Sequence, residues 1–168
     1  MQLLKDLRRA LPYDVVPVTP ENYTIAREVY ATNPGYFQFF GKLADDESIL
    51  SAMLSVPDGF NIEDKFYAAL CLDGKAIAII DLLAGYPNKG DLWLGLLLVH
   101  GNMHGKGLGA IITNGVVQGA KWAGFDNLRL GVIEANTDAV RFWEKMGFVR
   151  ERTSGDVLVF KRSVHESL

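Results

Sequence analysis

The chain has 168 residues, enough for one domain with a substantial core. Apolar residues make up 49% and charged residues 22%, the balance of a globular protein and not of a disordered or fibrous one. A net charge of −3 argues against a nucleic-acid binder, which would carry a basic excess, and no apolar run approaches a membrane span. The lone Cys71 rules out an intrachain disulfide and reads as a small core residue. The first residues run into Asp6, Arg8 and Arg9 without the apolar core of a signal peptide, so a cytoplasmic location is expected. No repeat, linker or low-complexity stretch divides the sequence, and a single domain over 1–168 is expected.

Leu3 to Leu11 reads as a short amphipathic helix, and Tyr13 to Thr19 as a strand with Val15, Val16 and Val18 supplying β-branched bulk. Thr19 and Pro20 then predict a helix start, with Thr19 as cap and Pro20 in the first turn, running to about Ala31. Asn33-Pro34-Gly35 reads as a break, and a second helix is expected over about Asp45 to Ser55. Asp73-Gly74 between Phe66–Leu72 and Lys75–Leu83 is the strongest hairpin signal in the chain. Leu92 to Val99 is apolar at nearly every position, as a strand covered on both faces should be. A helix follows from Gly107 to Ala123, then a strand over Leu128 to Ile133. A short helix capped by Asn136 or Thr137 buries Ala139, Phe142, Trp143 and Met146, and a hairpin through Ser154-Gly155-Asp156 closes the sequence. The order describes a mixed α/β fold around one central sheet.

The most informative segment is His104-Gly105-Lys106-Gly107-Leu108-Gly109-Ala110, between a central strand and a helix start. Glycines leave backbone N–H groups uncovered, and the first N–H groups of a helix lack intrahelical partners and sit at the positive end of its dipole. Such a segment cradles an anion, best a phosphate or pyrophosphate. A nucleoside-triphosphate loop does not fit, because Gly101 to Gly105 is one residue short and Gly107 stands where a hydroxyl is needed. A dinucleotide fingerprint is met by Gly105, Gly107 and Ala110, with Glu134 near a ribose position. Against it, five residues separate the strand from the first glycine, and too little chain follows for the second half of such a sheet.

A third reading is a coenzyme A site. The glycine loop, with His104 at its head, resembles the Gln/Arg-x-x-Gly-x-Gly/Ala motif of the GNAT superfamily of N-acetyltransferases. Asn136-Thr137-Asp138-Ala139-Val140-Arg141-Phe142-Trp143 through Gly147-Phe148 resembles that family's Asn-x-x-Ala-x-x-x-Tyr-x-x-x-Gly-Phe block. The resemblance spans roughly Phe66 to Lys161 and implies the GNAT fold: an α/β (α+β) domain with a mixed, mostly antiparallel sheet of about six to seven strands and helices on both faces. It implies acetyl-CoA as co-substrate with no metal, and transfer of acetyl to the primary amine of a small molecule or peptide by direct attack in a ternary complex. It implies pyrophosphate contacts from His104, Gly105, Lys106, Gly107, Leu108, Gly109 and Ala110. Pantetheine pairing with the backbone of Leu97, Leu98 and Val99 is implied too, and cofactor contact at Asn136, which serves equally as a helix cap.

Two positions depart from the family pattern. Trp143 stands where the family's Tyr protonates the leaving thiolate; an indole N–H donates a hydrogen bond but is no acid near neutral pH. Trp143 therefore steadies the sulfur or is simply a core tryptophan, and Tyr86 is a substitute acid. Trp93 stands where the family's glutamate base is usual, which leaves Asp91, Asp81 and Glu134. Asp81 is favoured as base or amine anchor because it interrupts an apolar run, where a carboxylate needs a partner or a function. Acceptor contacts are expected from Tyr36, Phe37, Phe40 and Tyr86, although the aromatic segment also suits a core plug or a homodimer contact. The alternatives are a non-catalytic acyl-CoA-binding regulatory module on the same fold, or a dinucleotide binder.

Overall fold

The computed structural model describes residues 2–166. Met1 and residues 167–168, which the single-domain expectation includes, lie outside them. Seven strands form one sheet in the spatial order β1-β2-β3-β4-β5-β7-β6. They are β1 (Asp14–Pro17), β2 (Lys65–Leu72), β3 (Lys75–Ala84), β4 (Asp91–Val99), β5 (Asn127–Ile133), β6 (Val149–Ser154) and β7 (Val157–Ser163). Six α-helices accompany them: α1 (Gln2–Ala10), α2 (Arg27–Ala31), α3 (Pro34–Gln38), α4 (Asp46–Leu54), α5 (Leu108–Trp122) and α6 (Thr137–Lys145). Only β4 and β5 run parallel; the other neighbours are antiparallel. A sheet with one parallel pair is not the parallel sheet of a dinucleotide fold, and that reading is discarded.

Local chemistry explains most elements. Asp73 and Gly74 both take positive φ, 52° and 80°, as a two-residue hairpin turn of the primed type requires. Asp45 caps α4 by accepting the Ser48 N–H at 3.0 Å, and Asn136 caps α6 by accepting that of Ala139. Near the start, one expectation fails. Thr19 is not a helix cap: the Asn22 carboxamide accepts the Thr19 N–H at 2.7 Å and donates to Pro17 O at 3.0 Å. That side-chain-to-backbone turn delays helical geometry to Tyr23. Asn33-Pro34-Gly35 does follow the end of a helix, α2 at Ala31, and it also starts a new one, with Pro34 in the first turn of α3, where its missing N–H costs nothing.

Each face of the sheet buries one apolar cluster. Leu3, Leu7 and Leu11 with Ile112, Val116 and Ala120 cover one face through α1 and α5. Val29, Tyr30, Phe37, Ile49 and Met53 cover the other through α2, α3 and α4, with Cys71 among the buried residues there. The two helices of the first face approach closely because α5 presents glycine to α1. A Cβ on Gly119 would lie 2.9 Å from Leu7 Cδ2 and 3.4 Å from its backbone, and one on Gly115 would run into Leu11. Gly119→Val should cost about 2 kcal/mol by overpacking against that backbone, lowering Tm by roughly 5 °C in a melting scan. An unchanged Tm would mean that α1 lifts off α5 freely.

The feature that makes a site lies between β4 and β5. Their parallel pairing covers Asp91–Asn127 to Leu94–Leu130 and stops there. Asp81 pairs with Leu96 and Leu82 with Leu94, so Gly95 is an extra residue, a bulge in β4. It inverts the strand's alternation: Leu92 and Leu94 face the α1/α5 side, then Leu96 and Leu98 the α2–α4 side. Beyond the bulge β4 leans toward β3, and β5 continues with β7 to Ile133. The two central strands diverge as a V.

Candidate active site

The V opens into a cavity of about 800 Å³. Leu94 to Val99 and Leu130 to Ile133 form its inner walls, the glycine loop and the start of α5 its mouth, and Asn136, Phe142 and Trp143 one flank. Antiparallel geometry decides which backbone groups face it. The His100 N–H donates to Ile77 O at 2.8 Å, so the N–H and C=O of His100 and Leu98 point at β3. Those of Leu97 and Val99 point the other way, into the V. The implied role of the Leu98 backbone is therefore corrected: its polar groups belong to the sheet, and the N–H and C=O of Leu97 with the N–H of Val99 make the free edge.

Val99 O receives Asn33 Nδ2 and His104 Nε2, each at 2.8 Å. The turn behind it is clamped from α2. His100 Nδ1 accepts the Asn102 N–H at 3.0 Å, so its Nε2 carries the proton and donates to Glu28 at 3.0 Å. Thr32 Oγ1 accepts the Gly101 N–H at 2.9 Å, and a Cβ on Gly101 would stand 2.9 Å from the Thr32 carbonyl oxygen. The loop that follows is thus held at its root. Gly105 and Gly107 take φ of 75° and 77°, the left-handed region that favours glycine, so the N–H groups entering α5 are presented without side-chain cover. A Cβ on Gly109 would sit 3.2 Å from Phe142, so glycine also lets α6 close against the start of α5. His104, Gly105, Gly107, Leu108, Gly109 and Ala110 all line the mouth, whereas Lys106 is exposed outside the lining. These groups fit the diphosphate expected there.

The expected catalytic and acceptor residues separate. Trp143 lines the cavity, edge-on to Phe142 and Phe148. Tyr36 and Phe40 line it, together with Phe39 of the same aromatic stretch. Phe37 does not: it is buried and stacks on Tyr30 with centroids 4.7 Å apart. The helix that begins at Pro34 turns Phe37 inward and its neighbours out. Tyr86 is also absent from the lining, held between Phe60 and Trp93 at 4.9 and 5.1 Å. Among the described residues lining the cavity, Tyr36 supplies the phenol.

Asp81 lies just behind the cavity floor. A Cβ on Gly95, which lines the cavity, would stand 3.2 Å from Asp81 Oδ2. Lys65 Nζ approaches the same oxygen at 3.0 Å, and both side chains are nearly buried. Burial pushes the Asp81 carboxyl up to about 6, against the pull of the Lys65 ammonium. Around it, Tyr67 lies opposite Asp81 across the strands, its hydroxyl bonded to that of Tyr30. Burial raises the Tyr30 and Tyr36 hydroxyls to about 12 and Tyr67 further, so all three stay neutral near pH 7. The other carboxylates considered are placed elsewhere: Glu134 is exposed, and Asp91 is locked in a buried ion pair with Arg129. Among the described residues no group of three or more His, Cys, Asp or Glu is arranged to hold a metal, and no helix is long and apolar enough to cross a membrane.

A sheet splayed at a parallel pair, with a glycine-rich helix start at the mouth of the splay, leaves a cleft between two strands that suits an extended ligand with an anionic end. A sequence model of the acetyltransferase (GNAT) family matches residues 21–148, and the chain belongs to that family, whose general reaction is acetyl transfer from acetyl-CoA. An acetyltransferase from Thermus thermophilus is 26% identical, with a TM-score of 0.77 over 92% of this chain and 98% of that one. The PaiA N-acetyltransferase of Thermoplasma acidophilum, solved in complex with coenzyme A, shares the fold at 16% identity, with a TM-score of 0.63 over 91% and 99% of the two chains. The ribosomal-protein-S18-alanine N-acetyltransferase of Escherichia coli does so at 13% identity and a TM-score of 0.66, over 92% and 95%. Comparison with curated protein sequences returns no match.

Proposed function

We propose that the protein is an N-acetyltransferase that moves the acetyl group of acetyl-CoA to the primary amine of a small molecule, by direct attack with both substrates bound. The observation that carries this reading is the V between β4 and β5, with the free Leu97 backbone and Val99 N–H on one side and the glycine-rich start of α5 at its mouth. The loop backbone from His104 to Ala110 receives the diphosphate, the edge of β4 pairs with the pantetheine amides, and Asn136 flanks the arm. The thioester then lies near Leu97, whose N–H is placed to polarise the carbonyl oxygen as it gains charge. The amine nitrogen attacks the thioester carbon, the C–S bond breaks, the nitrogen gives up a proton and the sulfur leaves as a thiolate that is then protonated.

Asp81 takes the amine's proton through a water at the Gly95 bulge, Lys65 keeps it ionised near neutral pH, and Trp143 donates its indole N–H toward the sulfur. A carboxylate tuned to about 6 directly beneath the cavity supports catalysis over a merely regulatory acyl-CoA site.

The first test is ligand-induced stabilisation. Acetyl-CoA at about 100 times its Kd should stabilise the fold by about 2.7 kcal/mol, raising Tm by roughly 5 to 10 °C, whereas NAD should not. A shift with NAD alone would overturn the reading. Binding of acetyl-CoA without thiol release in the presence of any amine would leave the regulatory module.

A further inference from the structure

The acceptor end of the cavity has a composition that selects among amines. Its wall is aromatic: Tyr36, Phe39 and Phe40 line it, Tyr36 and Phe40 tilted together with centroids 5.3 Å apart. Phe39 and Phe40 remain 43% and 46% exposed, so their ring faces are available at the cavity's edge and not consumed by the core. Among the described residues lining the whole cavity, the one carboxylate is Asp138. It lies at the start of α6, on the flank with Asn136, and pairs with Arg141 at 2.6 Å. Asp81 is already matched by Lys65. The acidic residues around the start of α4 do not contribute: Asp46 is paired with Arg27, and Asp45 and Glu47 border a separate hollow.

We infer that the acceptor is an apolar monoamine, a primary amine on an aryl or arylalkyl body with no second positive charge. This rests on the acetyltransferase reading of the same cavity and narrows it. Ring faces hold an arylalkyl body by burial and stacking, and attract the ammonium before it is deprotonated. The apolar surroundings then favour the neutral amine, which is the nucleophile. A diamine, polyamine or aminoglycoside brings further ammonium groups, and this end of the cavity offers them one phenol and no unpaired carboxylate. Those groups lose hydration without gaining a counter-charge.

The test compares 2-phenylethylamine with 1,4-diaminobutane, in wild type and in Phe40→Ala. With acetyl-CoA saturating, thiol release should show kcat/KM at least about tenfold higher for 2-phenylethylamine. Phe40→Ala should raise KM for that amine about fivefold to tenfold, while KM for the diamine moves less than about twofold. Equal or better use of the diamine overturns the inference and leaves the acetyltransferase reading standing. A second arm titrates each amine alone into the protein and follows ring-proton NMR signals of Tyr36, Phe39 and Phe40. Saturable shifts with 2-phenylethylamine and none with the diamine support the acceptor class even if acetyl-CoA fails to bind, an outcome that strikes only the acetyltransferase reading. Equal shifts with both amines, or shifts that survive Phe40→Ala undiminished, overturn it.

Discussion

Asp81→Asn is expected to lower kcat about 100-fold while leaving the affinity for acetyl-CoA unchanged by titration. The carboxylate lies under the Gly95 bulge on the α2–α4 side of the sheet, away from the loop that receives the diphosphate. Its loss should therefore touch chemistry and not binding of the donor. The pH profile is the sharper readout. The base must be ionised, so wild-type kcat/KM should fall about tenfold per unit as pH drops below about 6, the value to which burial raises this carboxyl. Tyr30, Tyr36 and Tyr67 face the same cluster but are held neutral far above this range, and Lys65 is the remaining charge beside it. Lys65→Met removes the ammonium that pulls the carboxyl down, and the acidic limb should move to higher pH. A limb that stays in place in Lys65→Met, or an Asp81→Asn enzyme with wild-type kcat, would remove Asp81 from the reaction.

The glycine loop and the two capped helices were legible in the sequence because each rests on local chemistry. Gly105 and Gly107 need the left-handed region, Asn136 needs only the N–H of its own helix, and Asp73-Gly74 closes a turn by its own dihedrals. What escaped depends on distant chain. Thr32, Asn33 and Glu28 look like an ordinary helix end, yet they hold Val99, His100 and Gly101 from more than 60 positions away. Phe37 and Phe40 look alike in sequence. Only the start of a short helix at Pro34 sends one into the core and the other to the cavity. The bulge did leave a signal: Gly95 is the one interruption in an apolar run, and a lone glycine within a strand marks a bulge or a close approach. Here it marks both, since Gly95 reverses the strand's alternation and makes room for the Asp81 carboxylate. Tyr86 was misplaced because its proximity to β3 in sequence says nothing of the face on which Phe60 and Trp93 trap it.

Asp91→Ala is expected to cost about 3 to 5 kcal/mol and to lower Tm by roughly 10 °C. Asp91 begins β4 at the far end of the paired stretch from the V, 2% exposed, and accepts from Asn88 at 2.9 Å and from Asn127 and Arg129 at 3.0 Å each. Arg129 lies on β5, 9% exposed, and reaches on to Glu151 of β6. Burial by itself pushes the Asp91 carboxyl up, but the Asn127 and Asn88 hydrogen bonds and the Arg129 charge outweigh it and hold it below the usual range. The alanine variant leaves the buried guanidinium with Glu151 alone and takes the acceptor from Asn88 and Asn127, which is why the loss exceeds that of a surface pair. The same residues tie β4 to β5 at the closed end of their parallel pairing, which fixes the two strands before they part. Asp91→Asn separates charge from shape. With the folded-state carboxyl depressed, wild type should exceed this variant fully above about pH 4, and the gap should close as pH falls through the folded value. No gap at any pH would show that this end of the strands is held by the Leu92–Leu128 and Leu94–Leu130 pairs alone. In that case the ion pair would do no more than set the register of β4 against β5.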